Sequence, residues 1–372
     1  MSSVEPGQML QKTMSALRDR DGQGADNADA KAAKSAYSSI GVVVVTYNSA
    51  DVIESCLSSL LASRDVDIRI AICDNGSTDG TQEIVRDVTA AAKLKLAEMN
   101  VADLDKAQRP PRVSLVHSDA NRGYAGGVNL GLRLFLNAPR VGLFWVLNPD
   151  SEVQTDTAKE YWNRAQEVGD FGLMAGRTLY HDQPGVVQSD GGMVNWWTGA
   201  CRNVNQGAVA ASVEMPAASG LDFASGANLV ASRNFVESVG LMQEDYFLYY
   251  EEVDWAVRGL KDHSLEMAPK AIVTHHGGTA IGSGANNRAP SAFSNYFNFR
   301  NRMWFVRRFA PLSLPVAWGW GMAKSAKYLL QGHYASAWGA LCGLNGFPPP
   351  KAIRARISDD AQALAFGKRP RG

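Results

Sequence analysis

Hydrophobic and polar positions along residues 40–150 alternate between two periods, which predicts strands followed by helices. Four short apolar runs are each suited to a strand buried on both faces. Each run is followed by polar residues and then by apolar residues at helical spacing. The predicted strands are residues 40–45, 68–73, 113–117 and 143–147. Four strand–helix units in succession predict an α/β protein with a mostly parallel, right-handed sheet flanked by helices.

Every predicted strand ends in a cluster of polar residues or glycines. Ligands of such sheets bind beyond the carboxyl ends of the strands, so these clusters predict one shared binding edge. Any single cluster is also explained by the turn-forming tendency of Asn, Asp and Gly, but four together favour a site. The clusters comprise Thr46, Tyr47 and Asn48; Asp74 and Asn75; Asn121, Gly123 and Gly127; and Asn148 and Asp150.

Asp150 is the candidate metal ligand. One carboxylate at a strand end suits Mg²⁺ or Mn²⁺ when substrate phosphates and water supply the remaining oxygens. His275 or His276, after a short predicted strand at 271–273, would add an imidazole; the alternative is a pair of hydrogen-bonded core histidines. The sequence has no P-loop motif, and its glycine-rich segment follows the third strand, which argues against dinucleotide binding.

The candidate catalytic carboxylates are Glu251, Glu252 and Asp254, which follow an aromatic run at 246–250. Aromatic neighbours would desolvate a carboxylate and raise its pKa, as a general base requires. The alternative is a structural role, in which carboxylates at the start of a helix stabilise it by interacting with the positive end of the helix dipole. The cluster by itself favours neither interpretation.

Charge is distributed unevenly along the chain. Its 372 residues, 45% of them hydrophobic, exclude a mostly disordered protein and allow two or three domains. Lys plus Arg equals Asp plus Glu at 37 each, yet residues 267–358 contain eleven basic residues and no acidic one. With aromatic residues over 291–358, this predicts an anionic membrane surface as a partner, with residues 297–309 as a helix in the headgroup region.

The alternative is that these aromatic residues pack on the catalytic domain or form a homo-oligomer interface. Residues 1–36 are predicted to be a disordered tail. The longest hydrophobic stretch, 312–323, is too short to span a bilayer, and the N-terminus has no apolar signal core. We therefore expect a cytoplasmic protein, peripheral on the inner face of the cytoplasmic membrane, with no nucleic-acid partner.

Six ordered motifs over about residues 40–310 resemble the family 2 glycosyltransferases of the GT-A fold, in particular the bacterial rhamnosyltransferase-like branch. The chain departs from the family pattern in two places: Asn-Pro-Asp replaces a run of aspartates, and Glu-Glu replaces Glu-Asp in the base motif. The motifs begin at Val42 (VVVVTYNS), Cys73 (CDNGSTDG), Asn121 (NRGYAGGVN), Leu147 (LNPD), Phe247 (FLYYEEVDW) and Val273 (VTHHGG).

The resemblance implies a catalytic domain over 37–290, with a nucleotide-sugar half at 37–150 and an acceptor half at 151–290, followed by a helical region at 291–372. It implies that the residues at the first three strand ends bind the nucleotide, with Gly123 and Gly127 allowing close backbone approach. Asp150 and His275 would hold the metal ion on the pyrophosphate. Glu252 would be the base.

The implied reaction is inverting transfer of a sugar from a nucleotide-diphosphate donor to a glycan or lipid-linked acceptor in cell-envelope polysaccharide synthesis. The branch suggests L-rhamnose from dTDP-rhamnose. Alternatives are a UDP-sugar donor (galactofuranose, hexose or N-acetylhexosamine), a nucleotidyltransferase that makes a nucleotide sugar, and a non-catalytic protein that binds nucleotide sugars or lipids. The nucleotidyltransferase lacks support because no basic, glycine-rich activation loop lies near the first strand.

Overall fold

The computed structural model describes residues 37–107, 109–277 and 290–367. The predicted tail at 1–36 and the last motif residue, Gly278, lie outside these ranges. The strands are β1 Ser39–Thr46, β2 Asp67–Asp74, β3 Leu96–Asn100, β4 Val113–His117, β5 Val141–Leu147, β6 Ser151–Val153, β7 Leu173–Tyr180, β8 Val187–Ser189, β9 Gly192–Asn195, β10 Ala200–Asn203, β11 Asn228–Ser232 and β12 Leu265–His275.

Eleven α-helices lie within the described ranges. Three of them, α1 to α3, alternate with the first strands, and the last five form the C-terminal region. They are α1 Ile53–Leu61, α2 Thr81–Ala91, α3 Gly123–Leu136, α4 Thr157–Val168, α5 Arg233–Val239, α6 Glu251–Gly259, α7 Ala292–Phe309, α8 Leu314–Leu330, α9 Tyr334–Asn345, α10 Lys351–Arg354 and α11 Asp359–Phe366.

The main sheet confirms the predicted α/β class. Its order is β3-β4-β2-β1-β5-β11-β7-β12-β6, with β8 paired to β7. The first five strands in this order are parallel, and β11 enters antiparallel between β5 and β7. The four predicted strands are β1, β2, β4 and β5. The pattern missed β3 because its residues are partly exposed at the edge of the sheet and lack an apolar run.

Helix α3 packs unusually close to β1. A Cβ atom on Gly131 would lie 2.5 Å from Val43 Cγ1, and one on Gly127 would lie 2.5 Å from Val45 Cγ1. The valine side chains are fully or almost fully buried, which suits a strand covered on both faces. The glycines are therefore required for packing of the helix on the sheet.

The C-terminal region is helical, as predicted, but α7 does not lie at a membrane surface. Arg300 and Arg302 are only 4% and 3% exposed, and Phe297, Phe305 and Val306 are buried. Phe305 and Val306 belong to the same apolar cluster as β1 and α3 residues. The prediction for residues 297–309 is therefore wrong, because the aromatic residues of α7 pack inward. Among the described residues, no helix is long and apolar enough to cross a membrane.

Candidate active site

Strands β1, β2 and β4 end level with one another, so their polar residues meet at one edge. Thr46 pairs in register with Asp74, and Asp74 pairs with His117. The Thr46 hydroxyl donates to Asp74 Oδ1 at 2.8 Å, and the Asn75 backbone N–H donates to the Thr46 carbonyl. The predicted convergence of the first two clusters follows from this register.

The carboxylate of Asp74 organises the loop after β2. Besides Thr46, it accepts hydrogen bonds from the Ser77 hydroxyl, the Ser77 backbone N–H and the Gln82 amide. Asn48, with a positive φ of 51°, accepts from the Thr78 backbone N–H through Oδ1. Because both partners in each of these hydrogen bonds belong to the protein, the loop holds this conformation without a ligand. Nucleotide binding by Thr46, Tyr47, Asn48 and Asp74 stays a prediction.

Asn75 offers a free acceptor at this edge. Its Nδ2 donates to the Gly123 carbonyl at 2.9 Å, while its buried Oδ1 has no hydrogen-bond partner. Asn121 Oδ1 accepts from the Gly123 backbone N–H, which forms the turn into α3. A Cβ atom on Gly123 would overlap the Phe247 carbonyl. Other protein groups fill the space beside Gly123 and Gly127, so the packing of the protein itself requires glycine at both positions.

Asp150 and His275 form a close pair at the ends of β5 and β12. Asp150 Oδ1 lies 3.0 Å from His275 Nε2, and both side chains are largely buried. Asn148 Nδ2 lies 3.1 Å from the same nitrogen, and Gln188 Oε1 lies 2.6 Å from His275 Nδ1. Burial raises the pKa of the Asp150 carboxyl, but the hydrogen bond and charge of His275 outweigh it, so that pKa is lowered.

This donor set fits a divalent ion. With Nδ1–H donating to Gln188, the Nε2 atom of His275 faces Asp150 either as an imidazolium N–H or as a metal ligand. The Asp150 carboxylate and the Asn148 amide thus both lie within hydrogen-bonding distance of this nitrogen. Adjacent ligands of an octahedral Mg²⁺ are about 3 Å apart, which matches the 3.0 Å separation of the two atoms. Gln188 would then orient the imidazole, as outer partners of metal-binding histidines do.

His276 belongs to a different group of side chains. Its ring stacks on that of His181 with centroids 3.6 Å apart, and His181 Nε2 lies 3.6 Å from Glu152 Oε1. These three residues also offer ligand atoms close enough together to hold an ion. The two adjacent histidines therefore point into separate groups, and only His275 contacts Asp150 through its side chain.

Glu251 and Glu252 begin helix α6 side by side, with Glu251 buried and Glu252 partly exposed. Glu251 Oε2 is enclosed without a hydrogen-bond partner. Burial, and then the charge of Glu252, raises the pKa of Glu251 well above its usual range; burial also raises the pKa of Glu252. Because Glu251 is buried without a hydrogen-bond partner at Oε2 and Glu252 is partly exposed, Glu252 is the member of the pair that ionises first.

Asp254 is a correction to the candidate catalytic set. Its carboxylate is fully buried and accepts from Arg258 Nε at 2.7 Å, Arg308 Nη1 at 2.9 Å and the Tyr246 hydroxyl at 3.0 Å. These contacts with two guanidinium groups and a hydroxyl give the Asp254 carboxylate a structural role. Asp254 joins α6 to α7, a connection that the sequence pattern gave no means of detecting.

Tyr124 connects the metal and base candidates. Its hydroxyl donates to the Gly226 carbonyl at 2.6 Å, and a Cβ atom on Gly226 would contact the Glu252 side chain. Burial raises the pKa of Tyr124, and the charges of Glu251, Glu252 and Asp150 raise it further. Sequence reasoning missed Tyr124 and Gln188. Tyr124 lies within the motif that begins at Asn121, which could have identified it. The sequence around Gln188 contains no motif that indicates a functional role.

A family model described as glycosyl transferase family 2 matches residues 41–200, which include the first three strand ends and Asp150. Residues 41–200 of the chain are therefore similar to this family. Together with the glycosyltransferases among its relatives, this match shows that the protein is a glycosyltransferase.

Two curated relatives are similar over most of their length. The N-acetylglucosaminyl-diphospho-decaprenol L-rhamnosyltransferase of Mycobacterium tuberculosis is 28% identical over 261 residues, 63% of this chain and 75% of the relative. The low-salt glycan biosynthesis hexosyltransferase of Haloferax volcanii is 22% identical over 245 residues, 63% of this chain and 74% of the relative.

Solved structures are similar at low sequence identity. A mannosyltransferase from Pyrobaculum calidifontis, in complex with GDP-Man and Mn²⁺, aligns with 96% of this chain and 95% of its own at 14% identity and a TM-score of 0.45. GalNAc-T7 with UDP, GalNAc and Mn²⁺ aligns with 82% of this chain and 60% of its own, at 11% identity and a TM-score of 0.49.

Proposed function

We propose that this glycosyltransferase transfers L-rhamnose from dTDP-rhamnose, with inversion, to a lipid-linked glycan acceptor in cell-envelope polysaccharide synthesis. The observation that carries the reaction is the position of residues 226 and 227: the Ala227 carbonyl accepts from the Asn148 backbone N–H, and Gly226 lies against the Glu252 side chain. Because Asn148 also contacts His275, the candidate metal-binding pair and the candidate base lie on either side of this segment. The transferred sugar and the lipid-linked acceptor are those in the name of the L-rhamnosyltransferase relative, and the dTDP nucleotide is the one that the family resemblance suggests.

Glu252 would take the proton from an acceptor hydroxyl as that oxygen attacks the anomeric carbon. Its raised pKa makes the carboxylate a stronger base than an exposed glutamate, while Glu251 stays protonated beside it and adds no second negative charge. Asp150 and His275 would hold a Mg²⁺ or Mn²⁺ ion, which supplies positive charge to the departing nucleoside diphosphate. A single displacement gives inversion.

Thr46, Tyr47, Asn48, Asp74, Asn75 and Asn148 would form the nucleotide side of the site. The free Oδ1 of Asn75 is an acceptor for an N–H of the base. Thymine and uracil differ by one methyl group, which a pocket distinguishes by only about 1–3 kcal/mol. A UDP-sugar is therefore the alternative donor, in keeping with a relative that is a hexosyltransferase.

The same proposal places the protein at the inner face of the cytoplasmic membrane, where a lipid-linked acceptor lies. With α7 buried, the membrane contact would be the outward side of α8 and α9. Large apolar side chains are exposed there, and no acidic residue occurs between 267 and 358. This α8–α9 surface comprises Leu312, Val316, Trp318, Leu329, Leu330, Tyr334, Trp338 and Phe347, with Lys324 and Lys327.

A panel of nucleotide sugars tests the reaction. dTDP-rhamnose, UDP-galactofuranose, UDP-glucose and UDP-N-acetylglucosamine are each supplied with Mn²⁺ and a polyprenyl-pyrophosphate-linked acceptor, and the glycolipid product is measured. We expect dTDP-rhamnose to give the highest kcat/KM. Preference for a UDP-sugar would replace the donor, and binding of a donor without transfer to any acceptor would support a non-catalytic nucleotide-sugar-binding protein.

A further inference from the structure

The loop that leads into the candidate base has an unusual backbone. Phe247, Tyr249 and Tyr250 have positive φ angles of 62°, 68° and 76°. Bulky side chains rarely adopt this region, and each such residue costs about 1–3 kcal/mol. Helix α6, with Glu251 and Glu252, begins immediately after Tyr250. The conformation of residues 246–250, the 246–250 loop, therefore fixes the direction in which both carboxylates point.

Two consecutive residues of α7 contact the backbone of this loop. Asn301 Nδ2 lies 2.9 Å from the Tyr246 carbonyl, 2.7 Å from that of Leu248 and 2.9 Å from that of Tyr249. Arg300 Nη2 donates to the Tyr246 carbonyl at 2.9 Å. The Tyr246 carbonyl also accepts from the Leu248 backbone N–H, so the two side chains add contacts to the few hydrogen bonds that the irregular loop makes with its own backbone.

The donors are themselves fixed. Arg300 Nε donates to Asn301 Oδ1 at 2.9 Å, which sets the orientation of the amide so that Nδ2 faces the loop. The Arg300 guanidinium carbon lies 4.3 Å from the Trp304 ring centroid and 4.7 Å from that of Phe297. Arg300 Nη1 donates to the Ala365 carbonyl in α11. Both side chains are buried, so the loop is held by groups that have little freedom to move.

We propose that Arg300 and Asn301, the Arg300–Asn301 clamp, are positioning residues that hold the 246–250 loop in its strained conformation and thereby aim Glu252 at the acceptor hydroxyl. This inference deepens the proposed function and rests on Glu252 as its base. The C-terminal helices would thus help to position the base, because the clamp lies on α7 and is fixed by α11.

Asn301→Ala removes the shared donor, and Asn298→Ala is the matched control. Asn298 lies on the same helix but donates to the Ser294 carbonyl within it. We expect the Asn301 variant to lose about tenfold to hundredfold in kcat, as expected for a misplacement of about 1 Å, with donor affinity retained. The control should keep kcat within about twofold. Equal kcat for both variants, or a loss confined to donor affinity, would overturn the proposal.

A second measurement does not depend on activity. Hydrogen exchange of the amides of residues 246–252, measured without substrate, should accelerate at least tenfold in Asn301→Ala and remain unchanged in Asn298→Ala. Unchanged exchange in both variants contradicts the clamp. A wild-type protein that transfers no sugar, but whose loop loosens in Asn301→Ala, would refute the proposed function and retain the clamp.

Strain relief provides a rescue test. Glycine adopts positive φ without cost, so Tyr249→Gly should reduce the dependence of the loop on Asn301. We expect Asn301→Ala to lower kcat at least threefold less in the Tyr249→Gly background than in the wild type. The same fold-loss in both backgrounds would show that Asn301 does not act through the strained backbone.

Discussion

The Nε2 atom of His275 lies 3.0 Å from the Oδ1 atom of Asp150, although the two residues are 125 positions apart in the chain. Their separation matches that of adjacent ligands around a small divalent ion. The adjacent His276 instead stacks on His181 beside Glu152. The structure thus separates two histidines that the sequence leaves equivalent.

We expect Asp150→Ala and His275→Ala to weaken Mn²⁺ binding at least tenfold and to lower donor hydrolysis or transfer in proportion. His276→Ala should leave Mn²⁺ affinity within about threefold, because its ring does not face Asp150. Titration calorimetry with Mn²⁺ alone measures this without a substrate. Loss of Mn²⁺ binding in His276→Ala and His181→Ala, with His275→Ala unaffected, would move the site to the Glu152 group.

Glu252→Gln should lower kcat by about two to four orders of magnitude, the usual contribution of a general base. Donor affinity should stay close to that of the wild type, since the residues proposed to bind the nucleotide lie at the strand ends and not on α6. Glu251→Gln is the matched control, because Glu251 is protonated and glutamine mimics the neutral acid. A dead Glu251→Gln enzyme with an active Glu252→Gln enzyme would exchange the two roles.

The buried carboxyl of Glu251 should make stability depend on pH. Its folded-state pKa is raised, so the folded protein binds a proton that the unfolded chain releases above about pH 4.3. The free energy of unfolding of the wild type should therefore fall, relative to Glu251→Gln, as pH rises from 5 to 8. Urea unfolding of both proteins across this range measures the difference, and a constant difference would show that burial does not raise this pKa.

Asp254→Asn tests whether Asp254 is structural. Removing the carboxylate leaves Arg258 and Arg308 without their shared charge, and breaking a buried ion pair costs about 3 kcal/mol. We expect the free energy of unfolding to fall by this amount. At a temperature where the variant is folded, kcat should drop by less than tenfold. A folded variant with a loss as large as that of Glu252→Gln would return Asp254 to the catalytic group.

The α8–α9 surface should bind anionic vesicles. Leu312 and Leu330 are 87% and 88% exposed, so replacing both with glutamate removes apolar contact without disturbing the core. We expect at least tenfold weaker sedimentation with phosphatidylglycerol vesicles, and weaker wild-type binding at high salt. Val209→Glu, at an exposed apolar residue of the acceptor half, is the control. Wild-type binding that is equal on neutral and anionic vesicles would contradict the electrostatic contact.

The alternative for this surface is a contact between two copies of the chain. Light scattering of the wild type and of the Leu312→Glu, Leu330→Glu double variant distinguishes the cases. A wild-type dimer that the double variant converts to monomer, with no vesicle binding by either protein, would favour oligomerisation. Truncation at residue 310 is not a suitable test, because Arg300 and the buried Ala317 connect the later helices to the core.

The sequence determined the first half of the fold and the position of the binding edge. Apolar runs that alternate with segments of helical periodicity are typical of a parallel sheet. The carboxyl ends of the strands in such a sheet lie on one side. Thr46, Asp74 and Asp150 could be assigned to that edge because each follows a mostly apolar run that forms a strand. The motifs then indicated a resemblance to the family 2 glycosyltransferases, and the family model matches residues 41–200.

Only the tertiary structure decided among residues with the same local pattern. Asp254 and Glu252 are two positions apart on one helix, and Asp254 is distinguished by Arg308, which lies 54 residues later. Helix α7, which contains Arg300 and Arg302, has the composition of a helix at a membrane surface, yet both arginines are buried. Local periodicity reports which residues are apolar, but the choice between a lipid surface, a second chain and the protein's own core depends on contacts between segments far apart in the sequence.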